Sequence, residues 1–128
     1  MGYDMFIEQI PAHLANEKEA VSETEWYKIT EEEQLYFRFN MWGMSNMRDH
    51  IAQILQWNLE YKDVEDDVAS EGFVAGHKLC SNDGWLVTPR ECLVIAEYLK
   101  DNPHKDDYSQ SFMDFCLKGA ECGGFRVY

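Results

Sequence analysis

The stretch Tyr36-Phe37-Arg38-Phe39-Asn40-Met41-Trp42 alternates with a period of two, and this narrows the folds open to the chain. A β-strand sends successive side chains to opposite faces. Phe37, Phe39 and Met41 then share one face, and Tyr36, Arg38, Asn40 and Trp42 the other. With an element order along the chain of roughly β-α-β-α-β-β-α-α-β, this predicts a small, mostly antiparallel sheet with helices packed on one face. The 128 residues, 45% of them hydrophobic, supply one core, so the expectation is an α+β fold in a single domain, 1–128. No apolar run approaches the roughly 20 residues of a membrane span.

Other segments fill in this frame. Tyr3–Gln9 reads as a first strand stopped at Pro11, residues 12–21 as a weak helix, and 22–34 as a loop with one helical turn. After Gly43, Ser45 or Asn46 caps a predicted helix with an apolar stripe of Met47, Ile51, Ile54, Leu55 and Leu59. Gly72–Cys80 and Trp85–Val87 are predicted strands about the turn Ser81-Asn82-Asp83-Gly84. Thr88-Pro89-Arg90-Glu91 is a strong helix start, with Thr as N-cap, Pro in the first turn and Glu closing a capping box. Cys92, Ile95, Ala96 and Leu99 form its buried stripe, and Asn102-Pro103 ends it. A last helix is predicted near Ser109–Cys122, with Phe112, Phe115 and Cys116 inward. Gly123-Gly124 follows, then a closing strand Phe125–Tyr128. Three to four helices therefore pack on the sheet.

The charge is strongly negative, −13, and unevenly spread. Residues 1–33 hold nine acids and two lysines, and residues 62–71 five acids and one lysine. No basic patch exists for nucleic acid or an anionic membrane, so neither is an expected partner. A basic surface on a partner protein is electrostatically favoured. Cys80, Cys92, Cys116 and Cys122 form no CxxC pair, and MGYDMFIEQIP lacks the basic and apolar regions of a secretory signal. The expected compartment is the cytoplasm.

Few residues point to chemistry. If Phe37 and Phe39 face the core, Tyr36, Arg38 and Trp42 face outward, and Arg126 and Tyr128 do the same in the last strand. Arginines beside aromatics can hold a planar or anionic ligand, with His77 as a proton carrier. His77 and Cys80 have a His-x-x-Cys spacing, but structural zinc needs further paired ligands, and no metal or other cofactor is expected. No nucleophile motif or phosphate loop occurs, so no catalytic residue is assigned.

Three segments together are distinctive: Tyr36-Phe37-Arg38-Phe39-Asn40-Met41-Trp42-Gly43-Met44, Gly84-Trp85-Leu86-Val87-Thr88-Pro89 and Gly123-Gly124-Phe125-Arg126-Val127-Tyr128. With Met1-Gly2-Tyr3-Asp4 they cover about a fifth of the chain. The combination resembles small uncharacterised proteins of bacteria and their phages. That resemblance implies a compact cytoplasmic domain and supplies no activity.

Two functional expectations follow. The first is a non-enzymatic acidic interaction protein, of the phage-inhibitor or immunity-protein kind, binding a basic surface of a partner protein. Trp26, Tyr27, Glu31, Glu32 and Glu33 would meet that partner, with Asp63, Glu65, Asp66 and Asp67 as a second acidic segment. The alternative is a small-anion-binding protein or enzyme, with Arg38 and Arg126 as clamp, Tyr36, Trp42 and Tyr128 as stacking groups, and His77 nearby.

Overall fold

The computed structural model describes residues 2–14, 16–57, 67–103 and 108–128. The chain begins with β1 (Gly2–Ile7), a 3-10 turn Ala12–Leu14, α1 (Glu17–Ala20), α2 (Glu23–Glu32), β2 (Tyr36–Asn40) and α3 (Met41–His50). A 3-10 turn Ala52–Ile54 leads to β3 (Leu55–Gln56), then α4 (Asp67–Ser70), β4 (Val74–Ala75) and a 3-10 helix Gly76–Leu79. The last elements are β5 (Leu86–Val87), α5 (Pro89–Asp101), α6 (Tyr108–Glu121) and β6 (Phe125–Val127).

Four strands form an antiparallel sheet in the order β2-β1-β6-β5, and β3 and β4 form a separate parallel pair. The fold is therefore α+β, as the order of elements in the sequence predicted. In the register, Met5 lies opposite Phe37 and Val127, and Phe6 opposite Tyr36 and Arg126. Odd positions of β1 and β2 and the alternate residues Phe125 and Val127 of β6 thus point to one side. There they join Met44 and Met47 of α3, Cys92, Ile95 and Leu99 of α5, and Phe112 and Phe115 of α6 in one core. The rings interlock: Phe37 lies 5.7 Å from Phe112, and Phe115 lies 5.0 Å from Phe125. Edge and tilted ring packing of this kind adds to the gain from burial alone. Burial pushes the thiols of Cys92 and Cys116 well above their ordinary range, so both behave as small apolar side chains.

The start of α5 matches its sequence signal. Thr88 Oγ1 accepts from the Glu91 N–H at 3.2 Å, and Glu91 Oε1 accepts from the Thr88 N–H at 3.1 Å. Glu91 does more than close this box. Its other oxygen accepts from the Ala75 N–H at 2.9 Å, and Lys78 Nζ donates to Oε1. Both side chains of this ion pair are fully buried. The network ties β4 and the 3-10 helix to α5 inside the protein.

Several local expectations are corrected. The strand at Tyr36 ends at Asn40, because the Asn40 side chain accepts from the Gly43 N–H at 2.7 Å and caps α3 there. Met41 and Trp42 consequently leave the sheet, 50% and 73% exposed. The described residues of 12–21 hold a 3-10 turn and the single turn of α1 in place of the predicted helix. The expected loop 22–34 is mostly α2, capped by Ser22 accepting from the Glu25 N–H at 3.3 Å. The helical stripe predicted through Leu59 gives a helix that stops at His50, Leu55 begins β3, and Leu59 lies outside the described residues. The turn around Gly84 does not make a hairpin with Gly72–Cys80; β5 pairs with β6 instead. Of the second acidic segment, Asp63, Glu65 and Asp66 lie outside the described residues, and Asp67 opens α4.

The link from α6 to β6 is the tightest point of the fold. Gly123 and Gly124 both have positive φ, 80° and 88°. The Gly124 N–H bonds the Gly119 carbonyl at 2.7 Å, the six-to-one bond of a Schellman ending. Its carbonyl accepts from the Glu8 N–H at 2.9 Å, so the helix end is fastened beside β1.

Candidate functional site

Even-numbered residues of β1 and β2, with Arg126 and Tyr128, form the sheet face turned away from the core. Tyr36, Phe6 and Tyr128 make an aromatic row across it: Phe6 is 5.0 Å from Tyr36 and 6.0 Å from Tyr128. Phe6 is an apolar residue facing outward, 41% exposed, and the alternation of its strand marks it as such in the sequence.

Asp4 sits between two outward groups. Its carboxylate accepts from the Tyr36 hydroxyl and lies 3.2 Å from Arg38 Nε. Burial, the Asp4 hydrogen bond and the Asp4 charge together push the Tyr36 phenol up to about 12, with Arg38 acting in the opposite direction. The fold therefore favours the protonated phenol. As pH rises above the ordinary tyrosine value of about 10, the unfolded chain loses this proton first, and stability falls until the folded phenol titrates too. In Tyr36→Phe this share of the alkaline destabilisation between pH 10 and about 12 should disappear, read from urea midpoints across that range. An unchanged alkaline slope would overturn the assignment.

Arg126 is held separately. Its Nε lies 2.7 Å from Glu8 Oε2, and Nη1 donates to the Gly84 carbonyl at 2.9 Å. Arg38 and Arg126 share the face but stand on either side of β1, opposite Asp4 and Phe6 respectively. Two strand spacings and a two-residue offset put their Cα atoms about 12 Å apart. The sheet thus gathers Tyr36, Arg38, Arg126 and Tyr128 on one surface, with each guanidinium against its own carboxylate. Trp42 stands apart at the start of α3, and His77 is buried in the 3-10 helix, its ring 5.3 Å from that of Trp85.

A concave site lies where this face meets α2. A groove of about 430 Å³ is lined by Phe6, Lys18, Val21, Ser22, Glu23, Trp26, Tyr27 and Thr30. Trp26 is half-buried at its wall and Tyr27 is 63% exposed. Glu31 and Glu32 occupy the last turn of α2, with no basic residue there, and Glu33 is its C-cap, 3.5 Å from His13 Nε2. Gln34 then adopts φ 58°, and the Leu35 N–H returns to the Thr30 carbonyl at 2.8 Å, leading into β2. The groove thus brings Trp26 and Tyr27 together with Phe6, Lys18 and Glu23, while Glu31, Glu32 and Glu33 lie at the C-terminal end of α2, outside its lining. Sequence reading missed Phe6, Val21 and Lys18 as lining, because that depends on how α1 and α2 fold back on β1.

Among the described residues, no three His, Cys, Asp or Glu side chains gather as a metal site, and no helix is long and apolar enough to cross a membrane. Comparison of the chain with protein-family models, curated proteins and solved structures finds no match.

Proposed function

We propose that the protein is a non-enzymatic interaction protein whose aromatic groove, beside the acidic helix α2, binds a basic surface of a partner protein. The observation that carries this reading is the groove of about 430 Å³ in which exposed Phe6 and Tyr27 and half-buried Trp26 stand with Glu23 and Lys18, on a helix that carries Glu31 and Glu32 in its last turn. A lysine or arginine entering it would meet aromatic faces and Glu23, with Lys18 as the one cation among the described residues of the lining, and the net −13 of the chain would steer it there. The position of Glu31 and Glu32 supports the same reading. Negative charge at a helix C-terminus opposes the macrodipole at about 0.3–1 kcal/mol each, so these acids do not serve the stability of α2. In a phage or bacterial setting this fits an inhibitor of a nucleic-acid-handling enzyme, or an immunity protein covering a toxin's basic surface.

The test begins with capture from a bacterial lysate at low and high salt, followed by association kinetics with the retained protein. Charge steering predicts that Glu31→Lys/Glu32→Lys/Glu33→Lys slows association about tenfold or more at low salt, with little effect at high salt. Trp26→Ala should instead speed dissociation. An association rate unmoved by the triple change would sink the proposal.

A further inference from the structure

β2 is an edge strand of the sheet. The bond from the Ile7 N–H to the Leu35 carbonyl, 3.0 Å, sets the parity of its ladder with β1. Residues in antiparallel strands alternate between bonding their partner and facing away from it. Phe37 and Phe39 therefore turn their backbones to β1, and Tyr36 and Arg38 turn theirs outward. The other side of β1 has the complementary parity: Asp4 exchanges bonds of 2.9 and 2.7 Å with Tyr128. Among the described residues, none bonds the outward N–H or C=O of Tyr36 or Arg38.

This open edge has a wall beside it. Phe37 and Phe39 pack on Phe112 of α6, which places α6 under β2. Two hollows lie along the flank of α6, one beside the C-terminal end of the strand and one beside Gln34, just before the strand begins. One, about 250 Å³, is lined by Arg38, Phe39, Asn40, Gly43 and Tyr108. The other, about 260 Å³, is lined by Gln34, Asp114, Leu117, Lys118 and Glu121. The first carries two aromatic rings. The second carries two carboxylates against one lysine, with Leu117 43% exposed. Phe37, between them, is only partly buried although it faces the core side.

We propose that the β2 edge and the flank of α6 form a docking groove for an extended segment of a partner protein, added to the sheet as a further strand antiparallel to β2. Its inward side chains, from its N-terminal end, would be an aromatic beside Tyr108, an aliphatic over Phe37 and a Lys or Arg toward Asp114 and Glu121. Main-chain bonds to Tyr36 and Arg38 give affinity, and the alternate side chains give selectivity. The charge of the Gln34 hollow and the net −13 of the chain select a basic end. They also disfavour a second copy as occupant, since a twofold pairing centred on Arg38 would set two guanidinium groups face to face. The groove shares no lining residue with the α2 groove, so it stands independently of that site.

The probe is a capped peptide alternating Thr with Phe, Val and Lys in that order, titrated against the full chain. Amide exchange of Tyr36 and Arg38 should be fast in the free protein and slow about tenfold or more with peptide, while Phe37 and Phe39 are protected throughout. Arg38→Pro should abolish binding without breaking the β1 ladder, because the Arg38 N–H takes no part in it. Arg38→Ala, which keeps that N–H but removes a side chain lining the Tyr108 hollow, should weaken binding far less than Arg38→Pro. A peptide with Lys, Val and Phe in reverse order should bind about fivefold more weakly. Tyr36 and Arg38 amides that stay fast with saturating peptide overturn the proposal, and so does full binding by a folded Arg38→Pro protein. A sedimenting dimer lost in Arg38→Pro makes a second copy the occupant and overturns it as well. If Arg38→Pro does not fold, exchange in the unsubstituted protein decides alone.

Discussion

Replacing Glu91 with Ala should lower the free energy of unfolding by about 5 kcal/mol, a large part of the 5–15 kcal/mol usual for a domain. One carboxylate performs three tasks in the core: it neutralises Lys78, caps the Thr88 N–H and accepts from the Ala75 N–H. Removing one partner of a buried ion pair costs about 3–5 kcal/mol, because the remaining charge is stranded. Each orphaned backbone N–H adds about 1–3 kcal/mol, although such losses overlap in a shared network. The double variant Lys78→Met/Glu91→Gln should recover about half the loss. It removes both charges together, keeps an amide oxygen for one of the two backbone donors and retains the volume of the lysine stem. Urea unfolding of the three proteins measures this. A double variant no more stable than Glu91→Ala would show that the charge pair itself, rather than the stranded charge, carries the energy.

Gly124→Ala is the second large effect, about 4 kcal/mol or more. A methyl group at this position would overlap the Val87 carbonyl oxygen, and φ of 88° is a conformation that L-residues rarely adopt. The obstacle is backbone, fastened by the pairing of Val87 with Phe125, so it cannot rotate aside. Gly123→Ala is the control. It has a similar φ, but its new methyl would meet only the flexible Gln9 side chain, so the cost should be about 1 kcal/mol. Thermal melts of the two variants compare them directly. Equal losses would exclude the carbonyl overlap as the cause.

The parts of this fold that could be read from sequence are those whose causes are local. The capping box at Thr88 and Glu91 is complete within four residues, and Cys92, Ile95, Ala96 and Leu99 are buried at the spacing that predicts them. The facing of Phe125 against Arg126 follows from alternation alone. α2 escaped detection because no residue in it is buried, which leaves no apolar stripe to see. Asn40 misled for the opposite reason. Met41 and Trp42 continue the strand's alternation, yet the Asn40 side chain turns the chain into a helix before they can join it. Nothing near Lys78 marks it as buried, since the acid that neutralises it stands on a different element.

The outward face was legible by parity: Tyr36 and Arg38 lie on it, as do Arg126 and Tyr128. Strand order was not, because β1 pairs with a strand from the other end of the sequence. That order keeps Arg38 and Arg126 on opposite sides of β1, and it leaves β2 at the edge.

The pairing of β1 with β6 also sets a schedule for synthesis. At about 5–20 residues per second, roughly 5–20 s separate the appearance of β2 from that of Phe125–Val127. Through that interval the one sheet partner available to β1 is β2, and a two-stranded ribbon of that kind is too small to hold its shape alone, with both long edges unfilled. Phe112 and Phe115, which floor the ribbon, arrive only shortly before β6. The nascent chain therefore gains its order late and nearly all at once, and its own sequence closes one of those two edges.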